Sequence, residues 1–184
     1  LLGNPDLTTV EADAVLQILL GYVRQRKAFT LPKGRVQPDD PAFGRVTADI
    51  AYVLRREGII NTNGWLPRVN KDNTVTSDNI VTDYLRRALS LARDDALNIA
   101  EKMWDFLTAQ SLLIENRGRW KLDHERLFVT RSTLRYVCNR CGNVTAHSAR
   151  NCCPRKACEV RLESRTFDPR SENMIARWVS GTSE

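Results

Sequence analysis

The sequence predicts a mainly helical α+β fold with short β-hairpins, organised as tandem winged-helix-like units followed by a small four-cysteine module. Three observations lead to this prediction. Apolar residues recur at helical spacing in several segments, two β-prone runs with turn signals follow helices, and all five cysteines lie between Cys138 and Cys158. We expect the units to span residues 1–70 and 77–130, and the cysteine module with a C-terminal helix to span residues 131–184.

The first unit is predicted to contain two helices and a hairpin. Thr8-Thr9-Val10-Glu11 is a capping box, and the apolar residues behind it predict a helix to about Lys27. Pro41, preceded by Asp39 and Asp40, predicts the start of a second helix that Gly58 would end. Its apolar set is Phe43, Val46, Ile50, Val53 and Leu54. In residues 58–66 the pair Asn63-Gly64 predicts a turn between two short strands.

The second unit repeats this order. Ser77 or Asp78 is the expected N-cap of one helix, and Asp94 and Asp95 begin another that ends near Gln110. Residues 112–114 and 119–122 then predict two strands joined by a polar turn. The similar endings suggest an internal repeat in which each hairpin is a wing. Trp65 and Trp120, one in each hairpin, are expected to be packing residues.

The cysteines form two close pairs, Cys138-x2-Cys141 and Cys153-Pro-Arg-Lys-Ala-Cys158. Two such pairs can hold one tetrahedral cation, and zinc is the favoured occupant. Four thiolates fill its coordination shell, so the module would be a structural zinc module. Cys152 could replace Cys153, although the Cys153-Pro154 turn favours Cys153, and His147 could also substitute as a ligand. A disulfide, buried free thiols or an iron–sulfur site are the alternatives.

Positive charge is concentrated near the cysteines. The net charge is +6, but residues 1–116 carry 14 Lys and Arg against 15 Asp and Glu, whereas residues 117–184 carry 14 against 7. This asymmetry favours a polyanionic partner, and DNA is the obvious candidate. On a strand, the basic residues of the second hairpin would share one face opposite Trp120 and Leu122. The expected phosphate contacts are Arg117, Arg119, Lys121, Arg135, Arg140, Arg150, Arg155 and Lys156. A merely solvated basic surface is the alternative.

Nothing in the sequence predicts catalysis. It contains no phosphate-binding glycine loop, no metalloprotease motif and no nucleophile elbow. Of the two histidines, His124 is expected to be solvated in a polar turn. No apolar run is long enough to cross a membrane and no signal peptide is evident, so we expect a cytoplasmic protein. Because the chain begins at Leu1 without a methionine, we expect it to be a piece of a longer protein.

Four segments carry a family resemblance: "FLTAQSLLIENRGRWKLD", "LRYVCNRCG", "CCPRKAC" and "SENMIARWVSG". In this order they resemble a region of large bacterial superfamily 2 helicases with a cysteine-rich C-terminal domain of unknown function, including those of DISARM-like and Druantia-like anti-phage systems. The resemblance covers some 75 residues, from about Trp104 to Trp178. It implies that Cys138, Cys141, Cys153 and Cys158 are zinc ligands and that a motor flanks this region.

Three functions are compatible with these features. The first is a nucleic-acid-binding accessory region of a larger ATP-dependent DNA helicase or translocase, in DNA repair or anti-phage defence. The second is a free-standing regulator that combines winged helix and zinc ribbon. The third is a protein-interaction scaffold that zinc stiffens. Salt-sensitive affinity for DNA separates the first two from the third, and motor motifs in the flanking sequence separate the first from the second.

Overall fold

The computed structural model describes residues 7–31, 50–55, 62–72, 74–75, 77–128 and 133–166, and these form an α+β arrangement. A short 3-10 helix spans His124–Arg126. The other elements, in chain order, are α1 (Thr9–Gln25), β1 (Ala51–Val53), β2 (Thr62–Gly64), α2 (Ile80–Leu89), α3 (Arg93–Ala109), β3 (Leu113–Asn116), β4 (Arg119–Leu122), β5 (Leu134–Val137), β6 (Val144–Thr145) and β7 (Glu163–Thr166).

Helix α1 begins at the predicted capping box. The Glu11 N–H donates to Thr8 Oγ1 at 3.2 Å, and the Thr8 N–H donates to Glu11 Oε2 at 3.0 Å. Two N–H groups at the helix start are thereby satisfied, which confirms the prediction. The helix ends at Gln25, and Lys27 adopts a left-handed conformation with φ of 57°. Its buried face consists of Ala14, Val15, Ile18, Leu19, Tyr22 and Val23.

The second predicted helix is wrong where the structure describes it. Residues 51–53 form strand β1, not the end of a helix, whereas residues 41–49 lie outside the described residues. All three residues of β1 are buried, and β1 lies between β2 and β4 in the sheet. A short apolar run that is buried on both faces satisfies helical spacing by chance, so periodicity alone cannot distinguish the two structures.

The first predicted hairpin is also wrong at its turn. Asn63 and Gly64 belong to β2, which pairs in parallel with β1 in the register Tyr52↔Asn63. The ladder continues beyond β2, where the Trp65 N–H donates to the Val53 carbonyl at 2.8 Å. An Asn-Gly pair favours a tight turn only where its own flanks can pair, and here a strand from elsewhere takes the hydrogen bonds. Residues 58–61 of the predicted hairpin lie outside the described residues.

The second hairpin is confirmed. Strands β3 and β4 pair antiparallel from Leu113↔Leu122 to Asn116↔Arg119. Arg117 and Gly118 make the two-residue turn with φ of 54° and 73°. Positive φ at both positions is the geometry that matches the twist of a hairpin. The pair Tyr52↔Trp120 joins β4 to β1, giving a sheet in the order β2-β1-β4-β3.

Helices α2 and α3 begin close to the predicted residues. The N-cap of α2 is Asn79, one residue after the predicted Asp78, and its Oδ1 accepts from the Val81 and Thr82 N–H groups. The Asn79 amide also donates to the Trp65 carbonyl at 2.8 Å, which ties α2 to the sheet. Helix α3 has two aspartates in its first turn and its C-cap at Gln110, as predicted.

Trp65 lies at the centre of the main core. It is fully buried, and its Nε1–H donates to the Ala100 carbonyl of α3 at 2.7 Å. Its ring centroid lies 6.4 Å from that of Tyr52 and 5.9 Å from that of Trp104, which in turn contacts Trp120 at 5.8 Å. Trp65 and Trp120 are therefore packing residues, as predicted.

One core contains buried residues from both predicted winged-helix-like units, because α1, β1, α2, α3 and the β3–β4 hairpin all contribute to it. The boundary between residues 70 and 77 stays a prediction.

A second, smaller cluster lies within residues 133–166 and includes Leu162 and three of the cysteines. There β5 is the central strand of a three-stranded sheet, in the order β6-β5-β7. In the described segments, no helix has both the length and the apolar character that a membrane span requires.

His124 differs from its prediction. Its Nδ1 lies 2.7 Å from Thr30 Oγ1, and its backbone N–H donates to the same oxygen at 2.9 Å. The residue is half-buried, so the prediction of a solvated histidine is wrong. The sequence could not indicate this partner, which lies 94 residues earlier.

We expect Trp65→Phe to lower the free energy of unfolding by about 1–3 kcal/mol. The change removes buried ring volume and the indole hydrogen bond to the Ala100 carbonyl. Urea denaturation followed by far-UV circular dichroism measures the loss. Val10→Ala, at a side chain that is 79% exposed, is the control and should stay within about 0.5 kcal/mol of the unchanged protein. Equal losses in both variants would contradict this account of the core.

Candidate metal centre

The first cysteine pair lies in a tight turn directly after β5. The Gly142 N–H donates to the Cys138 carbonyl at 2.9 Å, and the Cys138 N–H donates to the Asn143 carbonyl at 2.9 Å. Gly142 has a φ of 69°, where a side chain would strain the backbone. The turn brings the side chains of Cys138 and Cys141 to the same side.

The second pair lies at the two ends of the loop of residues 153–158. The Cys158 N–H donates to the Arg155 carbonyl at 3.1 Å, and Ala157 takes a left-handed conformation with φ of 57°. The loop therefore turns back on itself and places Cys158 near Cys153. Cys153 and Cys158 are both buried.

The four sulfur atoms converge. The Sγ atoms of Cys138, Cys141, Cys153 and Cys158 all lie within 4.8 Å of one another. Cys138 and Cys158 are separated by 3.7 Å between sulfurs, and Cys141 and Cys153 by 3.6 Å. A tetrahedral metal with metal–sulfur bonds of about 2.3 Å requires sulfur separations of about 3.8 Å, whereas a disulfide requires about 2.05 Å. The four cysteines can therefore hold one metal ion.

The pKa values of two of these thiols are shifted in opposite directions. The backbone N–H of Cys141 donates toward Cys138 and is the main cause that lowers the Cys138 pKa to about 6. Burial has the opposite effect on Cys153 and raises its pKa. Four thiolates in contact repel one another, so a bound cation is needed to hold all four deprotonated. With four sulfur ligands the coordination shell is closed, which is typical of structural sites.

Cys152 and His147 do not belong to this group. Cys152 Sγ accepts a hydrogen bond from Arg87 at 3.2 Å, and Cys152 packs against the main core. His147 is exposed, and its backbone N–H donates to Thr145 Oγ1. The structure thus assembles the four cysteines that the sequence favoured, with Cys153 as the third member.

A residue that the sequence analysis missed joins the second pair to helix α2. Arg87 donates from Nη1 to the carbonyls of Cys153 at 2.9 Å and Cys158 at 2.8 Å, and from Nη2 to the carbonyl of Arg155 at 3.1 Å. Asp83, one helical turn earlier, accepts from Nε at 3.0 Å and Nη2 at 2.7 Å and so fixes the guanidinium. The loop of residues 153–158 is closed around this one side chain.

Further polar contacts hold the cysteine module against the helices. The Tyr22 hydroxyl of α1 donates to the Pro154 carbonyl. Asp83 Oδ2 also accepts from the Ala157 N–H at 3.2 Å. At the edge of this contact, Arg150 forms an ion pair with Glu11 at 2.9 Å. That ion pair and above all the Thr8 N–H lower the pKa of Glu11 to about 2.

The basic residues predicted on the hairpin differ in placement. Trp120 and Leu122 pack on the core, which leaves the alternate positions, Arg119 and Lys121, on the opposite face of β4. Arg117 does not continue that face, because it lies in the turn with positive φ. Arg117 is exposed at the tip, whereas Arg119 and Lys121 are half-buried.

The basic residues predicted in the cysteine module also divide into groups. Arg140 and Arg155 are exposed, and Arg135 is half-buried. Arg150 is in the ion pair with Glu11, and Lys156 Nζ donates to the Asp78 carbonyl at 2.6 Å. The latter two contacts were missed because their partners are more than 70 residues away in sequence. Within residues 133–166, the exposed cations that the sequence analysis did not name are Arg161 and Arg165.

Comparison with known proteins adds no assignment: no family model, no curated protein and no solved structure matches this chain.

We expect each chain to bind one metal ion, and Cys153→Ser to abolish this binding while Cys152→Ser preserves it. Structural zinc can contribute on the order of 10 kcal/mol to the folding of a small module, so Cys153→Ser should also unfold residues 133–166. Metal content by mass spectrometry and the absorption of a Co²⁺-substituted protein measure both outcomes. A metal-free protein, or equal loss in the two variants, would contradict the assignment of ligands.

Proposed function

We propose that this chain is a nucleic-acid-binding accessory region of a larger ATP-dependent DNA helicase or translocase, held together by a structural zinc ion. The observation that carries the proposal is a set of exposed guanidinium groups on the cysteine module that have no carboxylate partner within the described part of the chain. Among the described residues, no carboxylate side chain pairs with Arg140, Arg155 or Arg161. Phosphate is a natural partner for such groups.

The distribution of charge also favours the cysteine module as the surface that binds nucleic acid. Residues 133–166 contain seven Lys and Arg against two Glu, a formal +5, and four thiolates with one Zn²⁺ reduce this to +3. Helix α3 has the opposite character. Its exposed charged residues are the acidic Asp94, Asp95, Glu101 and Asp105 and the basic Arg93 and Lys102. DNA would therefore be repelled by α3 and attracted to the cysteine module and the hairpin tip.

The order of elements supports a winged-helix-like body. Helix α1, strand β1, helices α2 and α3 and the β3–β4 hairpin follow one another, with β1 paired to β4. In helix-turn-helix proteins the second helix of the pair enters the major groove. The acidic surface of α3 does not suit that role, so we propose that the body positions the hairpin and the cysteine module instead.

Zinc is the metal that we propose for the centre. Thiolate ligands select zinc, copper(I) or iron, and zinc favours a closed tetrahedral set without redox chemistry. The four cysteines would hold it, and its contribution would be to fix the fold of the module. Iron in the same ligands would be coloured, so the visible spectrum of the purified protein distinguishes the two.

The helicase context follows from the resemblance of residues 104–178, and with it the proposals of DNA repair or anti-phage defence and of a cytoplasmic location. The motor would be supplied by flanking sequence.

A second candidate, a zinc-stiffened protein-interaction scaffold, is favoured by exposed apolar side chains. Phe128 is 84% exposed, and Val144 on the edge strand β6 is 56% exposed.

We expect the affinity for DNA to fall as the salt concentration rises. The triple variant Arg140→Ala, Arg155→Ala, Arg161→Ala should reduce this salt dependence. Each neutralised phosphate contributes roughly 0.7–0.9 to the slope of log affinity against log salt, so the slope should flatten by about two units. Fluorescence anisotropy with a labelled oligonucleotide measures it. The control removes three exposed cations elsewhere, in Arg24→Ala, Arg26→Ala, Lys102→Ala. Equal effects of the two triple variants would indicate a response to net charge and not a site, and no salt-dependent binding at all would favour the scaffold.

We expect Arg117→Ala with Arg119→Ala to flatten the same slope by about one to two units. The hairpin tip would contact phosphates without reading bases, so the loss should be similar for unrelated sequences. The same titration with two oligonucleotides of different sequence measures it. An unchanged slope would show that the hairpin is only a solvated surface, while leaving the cysteine module as the binding surface.

A further inference from the structure

The loop of residues 153–158 carries two of the four sulfur ligands, and its shape depends on a side chain outside it. The carbonyls of its first, third and last residues all point at the guanidinium of Arg87. These are Cys153, Arg155 and Cys158. The Arg155 carbonyl also accepts from the Cys158 N–H, but three converging carbonyl dipoles repel one another, so a cationic donor at their centre stabilises the closed loop.

Arginine is suited to this position. Its planar guanidinium presents five donors in a fixed arrangement, and here they reach three carbonyls, the Cys152 sulfur and the Asp83 carboxylate. The side chain is 18% exposed, so these bonds are largely shielded from water. A lysine ammonium offers three donors from a single point and cannot span this set.

We propose that Arg87 is the positioning residue of the metal centre: it holds the loop of residues 153–158 in its metal-binding shape and links metal binding to the packing of helix α2. The inference rests on the metal part of the proposed function and is independent of nucleic-acid binding. Arg87 keeps its charge at all ordinary pH values, so it orders the loop before the metal arrives. The metal then binds a half-formed site and loses less free energy to ordering the chain.

Two consequences follow. Partners of this kind outside the ligand set typically change metal affinity by 10–100-fold, although they do not contact the metal. Because linkage is reciprocal, metal binding also stabilises the contact between the loop and α2, and through α2 the main core. A change at Arg87 should therefore weaken metal binding and, at the same time, reduce the thermal stabilisation that metal gives to the core.

The test is a metal titration of the full chain with Co²⁺ and with Zn²⁺ against a chromophoric chelator. Arg87→Ala should raise the metal Kd by about 10–100-fold, and Arg87→Lys should recover only part of this loss. At saturating Co²⁺ the absorption spectrum should stay that of four thiolates, because the ligands are unchanged. Arg86→Ala is the matched control: Arg86 is the next residue of α2, and its ion pair is with the Asp78 side chain, whereas the loop contacts only the Asp78 backbone carbonyl, through Lys156.

The near-UV circular dichroism of the buried tryptophans reports whether the core remains folded. If Arg87→Ala changes this signal, the metal affinities of Arg87→Lys and Asp83→Asn test the inference instead. Asp83→Asn keeps Arg87 but removes the carboxylate that pairs with it. An unchanged Kd in the variants of Arg87 and Asp83, or an equal loss in Arg86→Ala, would overturn the inference. A wild-type chain that binds no metal would instead refute the metal centre itself.

Discussion

The guanidinium of Arg87 is the constraint on which the arrangement of the two cores depends. The main core packs around Trp65, and the small core of the cysteine module packs around sulfur atoms. Hydrogen bonds to three carbonyls of one loop are the densest polar connection between them. Together with the contacts of Tyr22, Asp83 and Arg150, this charged group takes the place of the large apolar interface that two separate domains would need to keep a fixed orientation.

This connection explains why the cysteine module can be small. A unit of about 34 residues buries too little apolar surface to be stable alone, and metals or partners usually supply the difference. Here the four converging sulfur atoms organise the module, while α1 and α2 support its loop of residues 153–158 through Tyr22 and Arg87. Its exposed side is then left free for charge, and it carries Arg140, Arg155 and Arg161.

Local signals predicted local structure well. The capping box at Thr8, the hairpin of β3 and β4 and the grouping of the four cysteines each depend on residues close in sequence, and the structure has all three. The errors occur where a distant segment decides. Asn63-Gly64 pairs with β1 instead of turning, and residues 51–53 are a strand because β2 and β4 lie on both sides of them.

Arg87 illustrates the limit most clearly. From sequence, Asp83 and Arg87 form an ordinary i,i+4 pair, of the kind that lies on the surface of many helices. Only the fold brings a loop 66 to 71 residues later onto that pair. The sequence shows an aspartate and an arginine at this spacing, but their role depends on a long-range contact that no local pattern encodes.

The hydroxyl of Tyr22 and the carbonyl of Pro154 join positions 132 residues apart. During synthesis, helix α1 leaves the ribosome long before the loop that completes its packing. At about 5–20 residues per second, the intervening chain takes roughly 7–26 seconds to appear. For that time the face of α1 around Tyr22 has no cysteine module to cover it, so this face stays exposed to chaperones and proteases until residues 133–166 have been translated.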